Sequence, residues 1–249
     1  MKKYTKTFII TLLSLIISCG SALAAEKVTL HTNPDHLTIG TTYDGTTLSV
    51  SGTVPAGSNA VIRIMGEHKD THFKKKGKAL GFLWMNLGSV ELHDVPNLFL
   101  IGADSKTYAS GGAAWQELNL GFNSVKGQTD QTLFDEYIKL VSHEGLYEIQ
   151  ENVVNYSDAG NGLRNFSATM KLPSSLKKGA YTVEAAAVRG NKVLGIASTT
   201  INAKLDGFPK ILESIAFGHE IAYGVSAVVI AILAGLLMTM LFQDKGGVH

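Results

Sequence analysis

Hydrophobic residues are distributed unevenly along the chain: two apolar segments lie near its ends, and short apolar runs alternate with polar residues between them. The first segment covers residues 8–17, and the second covers residues 221–242 without a charged residue. Short apolar runs bounded by turn residues are typical of β-strands, whereas long uninterrupted apolar segments are typical of helices in lipid. The pattern therefore predicts a β-rich region between two apolar helices.

The region between the two ends is rich in strand signals. Its apolar runs are separated by Gly, Pro, Asn and Asp, and the pair Gly190 and Asn191 is suited to a tight hairpin loop. Many short strands at this spacing are typical of a β-sandwich. The predicted strands are residues 27–32, 36–40, 46–54, 60–67, 71–76, 82–87, 90–93 and 98–103 in a first block, and 165–172, 180–189 and 192–203 in a second.

A helical insertion is predicted between the two blocks. Residues 128–144 place apolar side chains on one face of a helix, and Asp130 is suited to cap its amino terminus. Gly145 is suited to end the helix. Residues 113–120 form a second, weaker helix prediction.

We predict one domain rather than two, because neither block alone has enough strands for an independent core. It covers residues 25–206, with the insertion at about residues 105–164 and a polar, Gly-rich loop at residues 155–165. Gly179 and Tyr181 resemble the approach to the penultimate strand of immunoglobulin or fibronectin domains, where a Tyr hydroxyl binds the backbone. The predicted fold is therefore mainly β: an immunoglobulin/fibronectin-like β-sandwich with a helical insertion, followed by a single C-terminal transmembrane helix.

The amino terminus has the three-part layout of a secretory signal. Three lysines precede the apolar segment, and Ala22 and Ala24 offer the small residues of a cleavage site. The segment is too short to span a bilayer stably, so we predict that residues 1–24 are a signal peptide. An alternative stays open, because residues 16–19 resemble a bacterial lipobox in which Cys19 would be lipidated and become the new amino terminus.

Residues 221–242 are predicted to form a transmembrane helix. At 1.5 Å per residue, this segment reaches about 33 Å, enough for a hydrocarbon core of about 30 Å. The amphipathic residues 207–220 are expected to lie at the membrane surface before it. With an exported amino terminus, the β domain would lie in the bacterial periplasm, the helix in the inner membrane and residues 243–249 in the cytoplasm.

Small residues recur along the predicted transmembrane helix, at Gly224, Ala227, Ala231 and Gly235. Such a face allows the backbone of another helix to approach closely, which is the main way helices associate in lipid. We favour this packing interpretation over the alternative, which is that Ala and Gly recur here by chance.

The composition is typical of a chain with lipid-compatible segments, and it excludes several kinds of binding site. The chain has 249 residues, a formal net charge of +1, 45% hydrophobic residues and 17% charged residues, whereas soluble domains carry about 25% charged residues. The near-neutral charge gives no electrostatic basis for nucleic-acid binding. The single cysteine excludes an internal disulfide and a zinc site built from thiolates of one chain.

His68 and His72, with Asp70 between them, form a cluster of metal-ligand type. On a strand, positions i and i+4 face the same way but lie about 13 Å apart, too far to share an ion. In a turn or a helix the two side chains would converge. We favour a solvated hairpin, with His68 and His72 kept as the candidate metal ligands.

A run of lysines follows the two histidines. It is suited to binding anionic lipid headgroups or an acidic partner, although charges on an edge hairpin more often prevent strand pairing between molecules. This candidate basic patch consists of Lys74, Lys75, Lys76 and Lys78.

No catalytic motif is present in the sequence. It has no G-x-S-x-G, no phosphate-binding loop and no H-E-x-x-H. Asp135 and Glu136 occupy adjacent helix positions and diverge, and Trp84 and Trp115 are more typical of a core than of a binding groove. We therefore predict that the protein is not an enzyme and has no catalytic residues and no cofactor.

Several short motifs resemble those of one known family. They are Thr42-Tyr43-Asp44-Gly45, Leu83-Trp84-Met85-Asn86, Glu144-Gly145-Leu146-Tyr147, Leu172-Pro173 with Gly179-Ala180-Tyr181-Thr182-Val183, and Tyr223-Gly224. Together they resemble the "putative transmembrane protein" family first noted in alphaproteobacteria, over nearly the whole mature chain. The resemblance implies an exported β domain on one C-terminal span and no established enzymatic activity. Some members are encoded beside sulfite-exporter-type permeases, which suggests a transport accessory.

These features together predict a non-enzymatic, membrane-tethered interaction module in the periplasm. The expected partners are inner-membrane lipid and either another integral membrane protein or a second copy bound through the transmembrane helix. The alternative function is a ligand- or metal-binding sensor or carrier anchored in the inner membrane, which would use His68 and His72 or the loop at residues 155–165.

Overall fold

The structure is a computed structural model, and it describes residues 28–79, 81–104, 107, 118–127, 129–218 and 220–242. The predicted signal peptide, Cys19 and residues 243–249 lie outside the described residues, as does most of the weaker helix predicted at residues 113–120. The described residues are mainly strands and end in one long apolar helix. The coarse prediction of a mainly β chain with a C-terminal apolar helix is therefore confirmed.

The described residues form twelve strands, a short 3₁₀ helix and three α-helices. The first strands are β1 (Thr29–Asn33), β2 (His36–Ile39), β3 (Thr46–Pro55), β4 (Asn59–Met65), β5 (His68–Ala79), β6 (Leu83–Pro96) and β7 (Phe99–Ala103). The 3₁₀ helix (Phe122–Val125) and helix α1 (Gln131–His143) follow. The chain continues through β8 (Tyr147–Glu151), β9 (Val154–Gly160), β10 (Leu163–Leu172), β11 (Gly179–Arg189), β12 (Lys192–Leu205), α2 (Phe208–Gly218) and α3 (Glu220–Phe242).

Ten of these strands form two sheets. The smaller sheet has the strand order β1-β3-β10-β9, and the larger has the order β2-β12-β11-β4-β7-β8. Neighbours in the smaller sheet are antiparallel, whereas the larger sheet is mixed because β2 runs parallel to β12 and β7 runs parallel to β8. The remaining two strands, β5 and β6, form a separate antiparallel hairpin.

The first hydrophobic core contains buried residues of both sheets. Ile62 and Ile64 of β4 face this core, whereas Val61, the residue before Ile62, faces the opposite side, as the two-residue period of a strand requires. Met170 of the smaller sheet packs against Gly102 of the larger one, where a Cβ atom would collide with the methionine sulfur. The two sheets are thus held together by alternating apolar side chains.

The second hydrophobic core covers the other face of the larger sheet. Helix α1 contributes Phe134, Tyr137 and Val141, all of them buried. The ring of Tyr147 lies 5.6 Å from that of Tyr137 and 5.8 Å from that of Phe99, measured between centroids. Two apolar residues of β6 complete the cluster. The larger sheet therefore has one face against the smaller sheet and the other against α1 and the base of the hairpin.

Helix α1 forms close to where the sequence predicts it. The prediction covers residues 128–144, and the helix spans Gln131–His143. The Asp130 carboxylate accepts a hydrogen bond from the Leu133 N–H at 3.2 Å and so caps the amino terminus. Gly145, with a φ of 69°, follows the helix as expected.

Other predicted elements need correction. The two strands expected at residues 82–87 and 90–93 are one strand, β6, which begins at Leu83. The loop expected at residues 155–165 is wrong, because these residues form most of β9, the turn after it and the start of β10. Strand β9 is polar because it lies at the edge of the smaller sheet, with only Val154 buried. Strands β8 and β9 both fall inside the insertion predicted at about residues 105–164.

Candidate functional site

The hairpin of β5 and β6, called the β5–β6 hairpin below, leaves the larger sheet at the end where the C-terminal helices begin. Met65, at the end of β4, pairs with Thr182 near the start of β11, and the start of β11 also pairs with the end of β12. Glu67, between β4 and β5, accepts a hydrogen bond from the Ala180 N–H at 3.1 Å. This bond, followed by the charge of Lys69, lowers the pKa of Glu67. The base of the hairpin is therefore fixed to the start of β11, and the neighbouring strand β12 continues into α2.

The tip of the β5–β6 hairpin exposes large apolar side chains. Phe82 is 76% exposed, Leu83 52%, Trp84 67% and Met85 47%. The Lys78 ammonium lies 5.5 Å from the centroid of the Trp84 ring, within the range of a cation–π contact. The tip thus combines apolar and positive groups on a ribbon that belongs to neither core sheet. Contiguous exposed apolar surface of this kind is typical of contact sites for proteins or lipid.

One face of the β5–β6 hairpin packs against helix α1. The Phe73 ring lies 5.4 Å from the Tyr137 ring, and Leu92 is buried in the second core. A groove of about 680 Å³ lies between the hairpin and α1, with Lys74 among its lining residues on the hairpin and Glu136 on the helix. The apolar face therefore holds the hairpin in place and leaves the opposite face to solvent.

The solvent face carries a group of imidazoles and carboxylates, which we call the His–carboxylate cluster: Asp70 and His72 of β5 with Glu91 and His93 of β6. The His93 Nδ1 atom lies 3.5 Å from Asp70 Oδ1 and 3.9 Å from Glu91 Oε1. The His72 Nε2 atom lies 3.5 Å from the same Glu91 Oε1 atom. One potential ligand atom from each of Asp70, Glu91 and His93 lies within 4.8 Å of the others.

Strand register brings the His–carboxylate cluster together. His72 is the direct cross-strand partner of Glu91, and a register shift beside Asp70 allows its carboxylate to reach His93. The Asp94 N–H donates to Asp70 Oδ1 at 3.0 Å. This hydrogen bond, followed by the contact with His93, lowers the pKa of Asp70. The carboxylate is thus held in position and ionised over a wider pH range than usual.

The two histidines predicted as candidate ligands are not brought together. They lie four residues apart on β5, and the His68 Nδ1 atom lies 3.2 Å from Asp94 Oδ1 while His72 contacts Glu91. Glu91 and His93 were not among the predicted ligands. The available signal was a pair of short patterns, Asp-x-His at residues 70–72 and Glu-x-His at residues 91–93, on strands that pair with each other.

The predicted basic patch lies on β5. Lys74, Lys76 and Lys78 are exposed, and Lys75 lies on the same strand. Because the strand ends at the turn that precedes Phe82, the lysines lead directly into the apolar tip. They form a charged flank to the tip.

No described residue of helices α2 and α3 is buried in either core. An ion pair between Lys178 and Glu213 joins α2 to the end of the β domain. Within the part of the chain that the structure describes, α3 holds the one helix long and apolar enough to cross a membrane, over Tyr223–Phe242 with a mean hydropathy of 2.6. Ser226 and Thr239 donate their hydroxyls to carbonyls of the same helix, which satisfies polar groups that lipid could not.

The small residues predicted to pack in the membrane are all exposed on α3. They are Gly224, Ala227, Ala231 and Gly235. The spacing of 100° per residue puts the last three close to one face of the helix, so this face is free to contact another helix in lipid.

Comparison with known protein families identifies a family whose model covers most of the chain. A family described as "Putative transmembrane protein (Alph_Pro_TM)" matches residues 27–244. This range includes the two sheets, the β5–β6 hairpin and all of α3. No curated protein matches the chain.

Proposed function

The chain belongs to this transmembrane protein family, and we propose from that membership that it is a single-pass membrane protein whose β domain is a non-enzymatic interaction module. In this proposal α3 is the membrane span and α2 lies at the membrane surface. The β domain faces the periplasm and the span lies in the inner membrane. The support for this orientation is the signal-like amino-terminal sequence, with its three lysines, apolar segment and small residues.

The proposal of an interaction module rests on the exposed tip of the β5–β6 hairpin. Phe82 is 76% exposed and Trp84 is 67% exposed. Burial of each such side chain away from water would stabilise the protein or a complex by about 2 kcal/mol. Other residues form the two hydrophobic cores of the β domain, so Phe82 and Trp84 are not needed for its folding. A protein partner that covers the tip would supply the missing contact, and large aromatic residues are typical anchors of such contacts.

We propose an immunoglobulin-like arrangement for the domain. The order β1-β3-β10-β9 matches the order A-B-E-D of immunoglobulin sheets, and β12-β11-β4-β7 matches G-F-C-C′. The Tyr181 hydroxyl donates to the Lys177 carbonyl at 2.7 Å, as a tyrosine corner does. In this scheme the β5–β6 hairpin is an insertion between strands C and C′.

The partner we propose is another integral membrane protein, contacted by the hairpin tip outside the bilayer and by the small-residue face of α3 within it. An accessory role beside a membrane transporter is consistent with both contacts. The positive flank formed by Lys74, Lys76 and Lys78 favours an acidic surface on that partner. The non-enzymatic part of the proposal rests on the lack of a catalytic motif in the sequence.

Site-specific photo-crosslinking in intact membranes tests this proposal. A photoreactive residue in place of Trp84 should crosslink to a protein, and the same residue at Lys192 should not, because Lys192 begins β12 at the opposite end of the larger sheet. Purification of the adduct and mass spectrometry would identify the partner.

The controls separate a contact from a folding defect. Replacement of Phe82 and Met85 by Ser should reduce the yield of the adduct without changing the melting temperature, since both side chains are exposed. Crosslinking to lipid alone, or equal yields from the two photoreactive positions, would contradict a protein partner at the tip.

A further inference from the structure

We propose that the His–carboxylate cluster on the β5–β6 hairpin binds one divalent transition-metal ion of the Zn²⁺ type. The ligands would be the imidazoles of His72 and His93 and the carboxylates of Asp70 and Glu91. This proposal is independent of the interaction module proposed above, since it concerns the solvent face of the hairpin rather than its tip.

The proposal of a zinc site rests on the distances between the potential ligand atoms of the cluster. In a tetrahedral zinc site with ligands about 2.0–2.1 Å from the metal, neighbouring ligand atoms lie about 3.3 Å apart. The contacts between Asp70 and His93 and between His72 and Glu91 are both 3.5 Å, and the contact between His93 and Glu91 is 3.9 Å. Three edges of the required tetrahedron are therefore present to within about half an ångström.

The chemistry of the donors matches the same class of ion. Neutral imidazole and carboxylate together suit Zn²⁺, whereas Ca²⁺ and Mg²⁺ require oxygen ligands. The cluster offers two donors of each kind, the number of ligands that a tetrahedral zinc site needs. Asp70, Glu91 and His93 have ligand atoms within 4.8 Å of one another, and His72 adjoins them through its contact with Glu91. Because the four side chains alternate with inward-facing residues on paired strands, folding of the hairpin places them on one face without a further rearrangement.

The surroundings of the cluster support a cation. The Asp94 N–H bond to Asp70 orients one carboxylate from behind, as outer-shell partners of metal ligands do. The lysine next to Asp70 is paired with a carboxylate outside the cluster, since Lys69 Nζ lies 3.1 Å from Glu67 Oε2. The cluster itself therefore carries two negative charges opposite the two imidazoles.

Zinc titration of the full-length protein tests the site. The protein would be purified in detergent without a polyhistidine tag, stripped with a chelator and titrated with ZnCl₂ by isothermal calorimetry. We expect one Zn²⁺ per chain, and we expect the double variant H72Q/H93Q to bind at least about tenfold more weakly. Glu91→Gln provides a second loss-of-site variant that keeps the size of the side chain.

Two control variants sharpen the test. His36→Gln removes another exposed histidine that contacts a carboxylate, since His36 Nδ1 lies 2.6 Å from Asp35 Oδ1, and it should bind zinc like the wild type. His68→Gln distinguishes a site at this cluster from a site formed by His68 and His72. It should leave zinc binding unchanged if the cluster is the site, because His68 is a ligand only in the alternative. Circular dichroism of each variant verifies the fold.

The zinc titrations of the wild type and the variants either support or overturn the proposed site. One equivalent of Zn²⁺ that is lost in H72Q/H93Q and E91Q but kept in H36Q and H68Q supports the cluster. Wild-type protein that takes up no zinc, or an affinity that is equal in wild type and in both loss-of-site variants, overturns it. Loss of binding in H36Q to the same extent as in E91Q would also overturn it, because the metal would then be held by scattered surface histidines.

Discussion

Tyrosine hydroxyls connect segments of this domain that are distant in sequence. The Tyr147 hydroxyl donates to the Pro96 carbonyl at 2.7 Å and joins β8 to the base of the β5–β6 hairpin. Tyr156 of β9 accepts from the Ala60 N–H at 2.9 Å and donates to the Asp104 carboxylate at 3.2 Å. Such bonds satisfy backbone and carboxylate groups that strand pairing leaves open, and the net value of each is about 1 kcal/mol.

The substitution Tyr181→Phe is expected to destabilise the domain by about 1–2 kcal/mol, because it leaves the Lys177 carbonyl without its donor. Chemical denaturation followed by circular dichroism measures the change. Tyr43→Phe is the matched control, since the buried Tyr43 hydroxyl has no hydrogen-bond partner among the described residues, and its loss should be neutral or slightly stabilising. Equal destabilisation by both substitutions would contradict the role of the Tyr181 bond.

Alkaline pH should weaken the domain through Tyr156. Burial raises the pKa of Tyr156 to about 12, above the value of about 10 in the unfolded chain. A raised pKa in the folded state contributes stability below pH 10, and this contribution is lost as the pH rises toward 12. Thermal unfolding at pH 8, 10 and 11 should therefore show a smaller loss of stability above pH 10 for Tyr156→Phe than for the wild type. Identical slopes for the two proteins would contradict it.

The His–carboxylate cluster shows which features of individual residues the sequence could and could not predict. Asp70 and His72 lie on one face of β5 by strand alternation, although the predicted strand began only at residue 71. Their pairing with Glu91 and His93 depends on the register and on the shift beside Asp70, and neither can be read from local residue patterns. For the same reason the sequence suggested His68 and His72 and missed His93.

Among the elements, the strands with strong apolar alternation were predicted closely, and those that depend on tertiary context were not. Strands β3, β10 and β11 lie within about one or two residues of their predicted bounds. Strand β8 was missed because its five residues alternate only briefly after a helix, and its parallel pairing with β7 supplies the hydrogen bonds. Strand β9 was missed because an exposed edge strand has no apolar period to detect.

The small-residue face of α3 is expected to support association in the membrane. Ala231→Leu with Gly235→Leu should weaken self-association or partner binding by about 1 kcal/mol, or roughly fivefold, because the larger side chains keep the helix backbones apart. Energy transfer between labelled chains in vesicles measures this change. The matched control is Val229→Leu with Leu233→Ile, about half a turn away on the same helix. An equal effect of both double variants would indicate that no particular face is used.

In the part of the chain that the structure describes, two hydrophobic cores share the larger sheet. The first core joins the two sheets, and the second joins the larger sheet to α1 and the base of the β5–β6 hairpin. The resemblance to a transmembrane family is confirmed over residues 27–244, and the mainly β class is confirmed by the strands. The predicted insertion contains a helix as expected, but its strands β8 and β9 complete the two sheets, a role that only the assembled topology reveals.

Because both cores are built from residues before the C-terminal helices, a chain that ends at Asp206 should fold in water. The last buried core residue is Ala203, and α2 is joined to the domain by the Lys178–Glu213 ion pair, whose partly exposed groups contribute about 0–1 kcal/mol. We expect the melting temperature of this fragment to lie within about 2–4 °C of that of the full chain in detergent, since a loss of 1 kcal/mol shifts a domain of this size by about that amount.

A second fragment, ending at residue 218, distinguishes the two helices. It retains α2, whose apolar residues Phe208, Ile211 and Phe217 are all more than half exposed, and it should bind vesicles of neutral lipid through this amphipathic helix. The fragment ending at Asp206 should stay in the supernatant of the same sedimentation assay, and the full chain should remain in membranes after an alkaline carbonate wash. An unfolded shorter fragment would mean that the C-terminal helices belong to the fold, whereas release of the full chain by carbonate would mean that α3 does not cross the bilayer.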